Sequence, residues 1–285
     1  VLNTGARYDP ATDIWRPTST TGAPIPRGAA AAVWTGHHML VWGGGAASNT
    51  LRSGGRYDPT TDTWLAMTSS GAPSARINET AVWIPPYMIV WGGVEPVFHT
   101  YFDTGGRYDP ATDTWLPVSL IGAPSSRAFH KAISTGSSMI IWGGEGRTEI
   151  PQGNGGRYNS ATDTWTSIST VGAPTPRIAF SATWIGDLMA VCGGKEYSTA
   201  KVVNSGSRYD FATDTWSPIS ALNAPSGRGA HSARWTGSQL IIFGGQNASA
   251  VRFDSGGRYN PATDRWTPTS LGTGPPPRSQ PAAVW

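Results

Sequence analysis

The chain has 285 residues, 38% of them apolar and 14% charged, with 14 tryptophans and a formal net charge of +3. So few charges exclude charge-driven disorder, and the apolar content suffices for a core. Eighteen of the 21 basic residues are arginine, without a basic run or stripe, so neither nucleic acid nor a membrane surface is an expected partner.

No apolar run approaches the ~18 residues of a membrane span, and membrane insertion is not expected. The lone cysteine, Cys192, excludes an internal disulfide framework and a cysteine-built zinc cluster. It stands where other copies of a repeat have Trp or Phe, and reads as a buried apolar filler. Few lysines and one cysteine lean towards an exported protein of bacterial type, extracellular or periplasmic.

In chain order, the first recognisable element is Arg7-Tyr8-Asp9-Pro10-Ala11-Thr12-Asp13-Ile14-Trp15. It recurs with small changes at Arg56, Arg107, Arg157, Arg208 and Arg258. A fixed period near fifty residues marks a repeat architecture. Asp or Asn followed by Pro forms a turn, because the side chain bonds nearby backbone and Pro fixes φ. The tryptophan opens a strand expected to run to Gly-Ala-Pro, as at Gly22–Pro24. Each full unit then begins at Pro-x-x-Arg. A first apolar strand follows, such as Ala29–Trp34 or Thr80–Trp83, and ends in a turn. A second strand is short, β-branched and aromatic, as in Met88-Ile89-Val90-Trp91, and stops at Gly-Gly. About ten variable residues lead to the next Arg-Tyr strand.

Arg opening the first strand, four apolar residues ending in Gly-Gly, then Tyr, then Trp resembles the kelch signature; the Arg, Tyr and Trp positions recur six times and the Gly-Gly strand five. The resemblance covers the whole chain. It implies an all-β fold, a six-bladed kelch-type β-propeller with four antiparallel strands per blade, as one domain over residues 1–285. The same architecture hosts enzymes and protein-binding modules. Galactose oxidase shares the propeller, but its cross-linked Cys–Tyr copper site has no counterpart here, and no cofactor or metal is expected.

Strand direction places the uniform turns on one rim and the variable second-to-third loops on the other, where a site is expected. Those loops run over Gly45–Ser53, Val94–Thr104, Glu145–Asn154, Lys195–Ser205 and Gln246–Ser255. Phe98, His99, Tyr101, Phe102, Arg147, Tyr197 and Arg252 are the candidate binding residues, since aromatics with arginines suit sugar stacking or a protein hot spot. Phe98 and Phe102 also read as folding back to pin their own loop. Arg76 and Arg127, two of the six Pro-x-x-Arg arginines, are candidates for an anion-binding ring. The competing reading is a guanidinium fork tying loop carbonyls between blades. Three residues after each such arginine stand Ala30, Glu79, His130, Phe180, His231 and Pro281. Glu79 and His130, on neighbouring repeats, are the candidate acid–base pair, as in the kelch-type sialic acid mutarotases that the chain resembles in repeat type.

The expected function is a binding module presenting the variable rim to a protein or glycan. The alternatives are a carbohydrate-active enzyme and a structural subunit of a larger extracellular assembly. Three expectations are concrete. Replacing Val94–Thr104 by a Gly-Ser turn removes binding and spares stability. Arg107 pairs with Asp113, and Arg157 with Asp163, across their hairpins. The closing blade combines residues 1–24 with 275–285 and lacks its second strand, which implies a longer natural protein or another chain in the slot.

Overall fold

The computed structural model describes residues 2–47, 49–270 and 274–283. Every regular element among them is a strand, and no helix is long and apolar enough to cross a membrane. The chain divides into two compact units: residues 1–130, 136–139 and 158–165, and the remainder.

In the first unit, Ala6–Asp9 pairs with Ile14–Pro17 as a two-stranded hairpin. A four-stranded antiparallel sheet follows, ordered Ala31–Trp34, Met39–Trp42, Gly54–Asp58, Thr63–Ala66. The next has Thr80–Ile84, Tyr87–Trp91, Gly105–Asp109 and Thr114–Pro117 in the same order. The second unit repeats the pattern twice. One sheet is Ser181–Trp184, Leu188–Cys192, Gly206–Asp210, Thr215–Ile219; the other is Ser232–Trp235, Leu240–Phe243, Gly256–Asn260, Arg265–Pro268. Between these repeats in sequence, Lys131–Ser134, Ser138–Trp142, Gly155–Asn159 and Thr164–Ser167 follow the same pattern, and their residues are divided between the units. The repeated four-stranded antiparallel sheet is the blade of a propeller.

The second strand of each repeat is flanked by partners on both sides: Met88 lies opposite Trp83 and Tyr108, and Val90 opposite Ala81 and Gly106. Met88, Ile89, Val90 and Trp91 are all fully buried, which is why this strand is a continuous apolar run rather than an alternating one. Aromatic joints connect successive repeats. Trp42 packs on Trp115 at 5.4 Å between ring centroids, Trp91 on Trp165 at 5.4 Å, and Trp142 on Trp216 at 4.6 Å. Burying a large apolar side chain is worth about 1.5–3 kcal/mol, so these joints dominate cohesion. Cys192 is buried in the second unit's core, where burial pushes its thiol up to about 12.

Polar ties reinforce each joint. Tyr108 donates to Asp113 Oδ1 at 2.6 Å inside its own hairpin. The same oxygen accepts Thr68 N–H from the preceding repeat at 3.1 Å, and Trp115 Nε1 donates to Thr68 O at 3.0 Å. The set recurs at Asp62, Asp163, Asp214 and Asp264 on the backbone of Ser19, Ser119, Ser169 and Ser220. The expected ion pairs within hairpins are therefore replaced. Arg107 and Tyr108 are adjacent on a strand and face opposite sides. Tyr108 takes Asp113, and Arg107 reaches the following repeat, donating to Ser160 O at 3.0 Å and lying 3.4 Å from Asp163. Arg157 likewise donates to Phe211 O.

Other expectations are adjusted too. The fourth strands stop at Ala66, Pro117 and Ser167, short of Gly-Ala-Pro, which lies in a separate turn closed by contacts such as Ala123 N–H to Leu120 O. Arg278 meets Phe253 through an isolated bridge rather than a strand. Val1, Val284 and Trp285, on which the expected closing blade partly rests, lie outside the described residues.

Replacing Asp113 by Ala removes the acceptor of a tyrosine hydroxyl and of an inter-repeat amide. It should lower unfolding free energy by about 2–3 kcal/mol in urea titrations, whereas Arg7→Ala, at a half-exposed ion pair, should cost under about 1 kcal/mol.

Candidate functional site

The Pro-x-x-Arg arginines come first because they hold the variable loops. Arg76 is fully buried, and its Nη1 donates to Gly92 O at 2.7 Å and Thr104 O at 2.8 Å. Arg27, Arg177 and Arg228 make the same two bonds at Gly43 and Ser53, Gly193 and Ser205, Gly244 and Ser255. The fork joins the two ends of the loop in its own repeat, not loops of different blades. Arg127 is equally buried, with Nε on Ser125 O at 2.9 Å. Arg76 and Arg127 thus present no exposed face to a ligand, and Arg76 acts by fixing where its loop leaves and rejoins its sheet.

The loops are more ordered than a ten-residue connection suggests. Val94–Glu95 pairs with Thr100–Tyr101, and Gly45–Ala46 with Asn49–Thr50. Phe102 lies beneath Arg76, 4.2 Å from guanidinium carbon to ring centroid, and Phe253 beneath Arg228 at 4.4 Å. Val94 is buried, and its backbone exchanges two bonds with Ile77. Removing Val94–Thr104 whole would therefore strip the cover from a buried arginine, so the expectation that this replacement spares stability is corrected. The aromatics divide: Phe102 pins the loop, while Phe98 is 81% exposed at its tip. Glu95 Oε2 accepts Phe98 N–H at 2.8 Å and holds that tip. His99 is exposed beside it, and Tyr101 is half-buried. In the second unit Arg147, Tyr197 and Arg252 are exposed on their own loops.

Glu79 and His130 belong to a different arrangement. Glu79, His130, Phe180 and His231 are wedges, each seated on the Gly-Gly of the preceding repeat. A Cβ on Gly43 would fall 2.2 Å from Glu79 Oε1; one on Gly92 would fall 2.5 Å from His130 Cε1. Phe180 and His231 sit the same way on Gly143 and Gly193. Both glycines of each pair have positive φ, 68° and 98° at Gly92 and Gly93, so space and backbone conformation both require glycine. The residue before each wedge is also left-handed although it is not glycine: Ala29, Asn78, Phe129, Ala179, Ala230 and Gln280 have φ of 52–58°. Successive copies bond to one another, Phe129 N–H to Asn78 O and Ala230 N–H to Ala179 O.

This geometry seats the two members of the expected acid–base pair on different glycine pairs. His130 bonds Thr80 Oγ1 at 2.7 Å through Nε2 and packs edge-on against Trp91. His231 repeats the bond on Ser181 Oγ at 2.8 Å. Glu79 is 7% exposed, and neither carboxylate oxygen has a hydrogen-bond partner among the described residues. Burial pushes its carboxyl up to about 7, against the pull of neighbouring backbone amides and Arg76. No group of three or more His, Cys, Asp or Glu arranged to hold a metal occurs among the described residues.

Glu79 fixes a pH dependence. Its folded-state value lies above the unfolded one, so the folded protein holds a proton more tightly, and stability falls as pH rises from about 4.5 to about 7. Glu79→Gln should remove that component and exceed the wild type at pH 8 by about 1–3 kcal/mol in urea unfolding, while the two proteins converge at pH 4.

The chain matches the description KLHDC2/KLHL20/DRC7 Kelch-repeats domain over residues 1–150 and again over 99–285. No curated protein matches it. The matches cover the repeats whose sheets, paired glycines and Tyr–Trp pairs are described above, and the chain belongs to the kelch-repeat family.

Proposed function

We propose that the chain is a protein-binding module whose second-to-third loops form the contact surface. Kelch repeats mediate protein–protein interaction as a class, which supports the binding role. The observation that carries the loop assignment is Phe98: a large aromatic left almost wholly in water at the tip of a paired, carboxylate-anchored loop. Exposed aromatics on ordered supports bind at little conformational cost and are the commonest interface anchors. Val97, 64% exposed, extends the apolar tip, and His99 adds a polar edge. A glycan partner would use the same rings by stacking.

A second reading, a carbohydrate-active enzyme, draws support from Glu79, whose carboxyl titrates near neutrality. Its packing against Gly43 would have to open before a sugar reached it. A mutarotation assay on sialic acids, wild type against Glu79→Gln, tests that reading directly.

Val97→Ser with Phe98→Ser should weaken binding to a partner recovered by proximity labelling at least about a hundredfold, as loss of a central aromatic anchor does. Melting temperature should move by under about 2 °C, because both side chains are exposed. Unchanged affinity in surface plasmon resonance would move the contact surface away from this loop, and a glycan array run on the same two proteins separates a sugar partner from a protein one.

A further inference from the structure

We propose that a cleft in the second unit, flanked by the first strands Lys131–Ser134, Ser181–Trp184 and Ser232–Trp235, binds a small oxyanion group, a carboxylate or a phosphate. It holds about 220 Å³ and is lined by Lys131, Ser181, Thr183, Ser232 and Arg234, with His231 at its base. Water occupies ~30 Å³ per molecule in the liquid, so the space suits one charged group with its hydration rather than a folded element.

Strand alternation assembles the lining. Ala182 and Ala233 pack towards the cores, so Ser181 and Thr183, and likewise Ser232 and Arg234, face the other way. The repeat itself shows that the two charges are not scaffold. Where Arg234 stands, other copies have Val33, Val82, Ile133 and Thr183; where Lys131 stands, they have Ala31, Thr80, Ser181 and Ser232. Both cations occupy positions that the fold fills with small or apolar residues.

Among the described residues, no carboxylate lines the cleft. Arg234 donates through Nε to Ala283 O at 2.6 Å and through Nη1 to Ala233 O at 2.7 Å. That anchors the guanidinium and leaves Nη2 without a partner among the described residues. Among the described residues, Lys131 forms no ion pair. Its side chain is reached by solvent, yet protein surrounds it closely enough that burial pulls its ammonium below the usual range. Those two facts together describe a charge in a narrow, wet concavity. His231 adds no charge near neutral pH, since burial, then Arg228 and Lys131, pull it down to about 4. It donates to or accepts from Ser181 Oγ at 2.8 Å and holds that hydroxyl in place.

Two cations facing one cleft repel each other, and low-dielectric walls concentrate their field. A bound oxyanion offsets the repulsion and takes charge-assisted hydrogen bonds from Lys131 Nζ and Arg234 Nη2. The free hydroxyls of Ser232 and Thr183 supply further donors.

Calorimetric titration with inorganic phosphate and, separately, with propionate, at fixed ionic strength, tests the site. Saturable binding of at least one anion is expected, weakened about tenfold or more by Lys131→Gln and by Arg234→Gln, and largely kept by Lys131→Arg. Phosphate alone binding assigns a phosphate group; propionate alone assigns a carboxylate. Val97→Ser with Phe98→Ser should bind either anion as the wild type does, which separates this cleft from the loop surface. Circular dichroism melting checks that each variant folds, and Thr183→Val, which deletes one hydroxyl, gives the reading should Arg234→Gln unfold. Absence of saturable binding by both anions, or equal affinity in Lys131→Gln and the wild type, overturns the proposal.

Discussion

One carboxylate in each hairpin holds successive repeats in place. Asp113 Oδ1 takes a hydroxyl from Tyr108 and an amide from Thr68, so a single oxygen closes a turn and fastens that turn to the strand end before it. Its left-handed backbone, φ 54°, aims the side chain back across the hairpin. Trp115 completes the clamp from the same strand pair, with its indole N–H on Thr68 O and its ring against Trp42. Polar and apolar contacts therefore converge on one joint. The fold needs both, since a sheet of four short strands buries too little alone.

The second joint lies at the other side of the repeat, where a side chain wedges between paired glycines. Here the chain accepts strain. A non-glycine residue precedes every wedge in the left-handed region, at a cost of roughly 1–2 kcal/mol each, which the buried arginine fork and the bonds between successive copies offset. Because the fork spans both ends of each second-to-third loop, loop sequence is free to vary without moving the loop's base. That separation lets Phe98 stand in water on a rigid support. It also lets Lys131 and Arg234 be placed on first strands without disturbing the sheets behind them.

Much of this was legible in the residues. Apolar runs of four or five, bounded by Gly-Gly and by Asp-Pro turns, have no reading but buried strands, and the fifty-residue period makes each copy check the others. The partners of polar side chains were not legible. Arg107 and Asp113 stand six apart in every copy, and spacing alone does not tell a pair across one hairpin from a pair across a joint. The adjacency of Arg107 and Tyr108 on a strand carried the missing information. The loop ends were hidden for another reason: Val94 is buried and Phe102 packs on a buried arginine, inside a segment without periodicity. Lys131 and Arg234 left a signal as departures from their repeat positions.

The wedges differ from copy to copy while the clamps hardly differ at all. Near-identical repeats carry a hazard during synthesis, because any copy could dock on any other and trap the chain in a wrong order. Glu79 fits over Gly43, His130 over Gly92, Phe180 over Gly143 and His231 over Gly193, so adjacent joints carry different wedges, and only the two histidines, two repeats apart, share a shape and a hydroxyl bond. A repeat that skipped its neighbour would bring the wrong wedge to the wrong seat, and a buried glutamate or histidine would lose its setting. The series thus works as an address written into the joints, telling each repeat from its immediate neighbours.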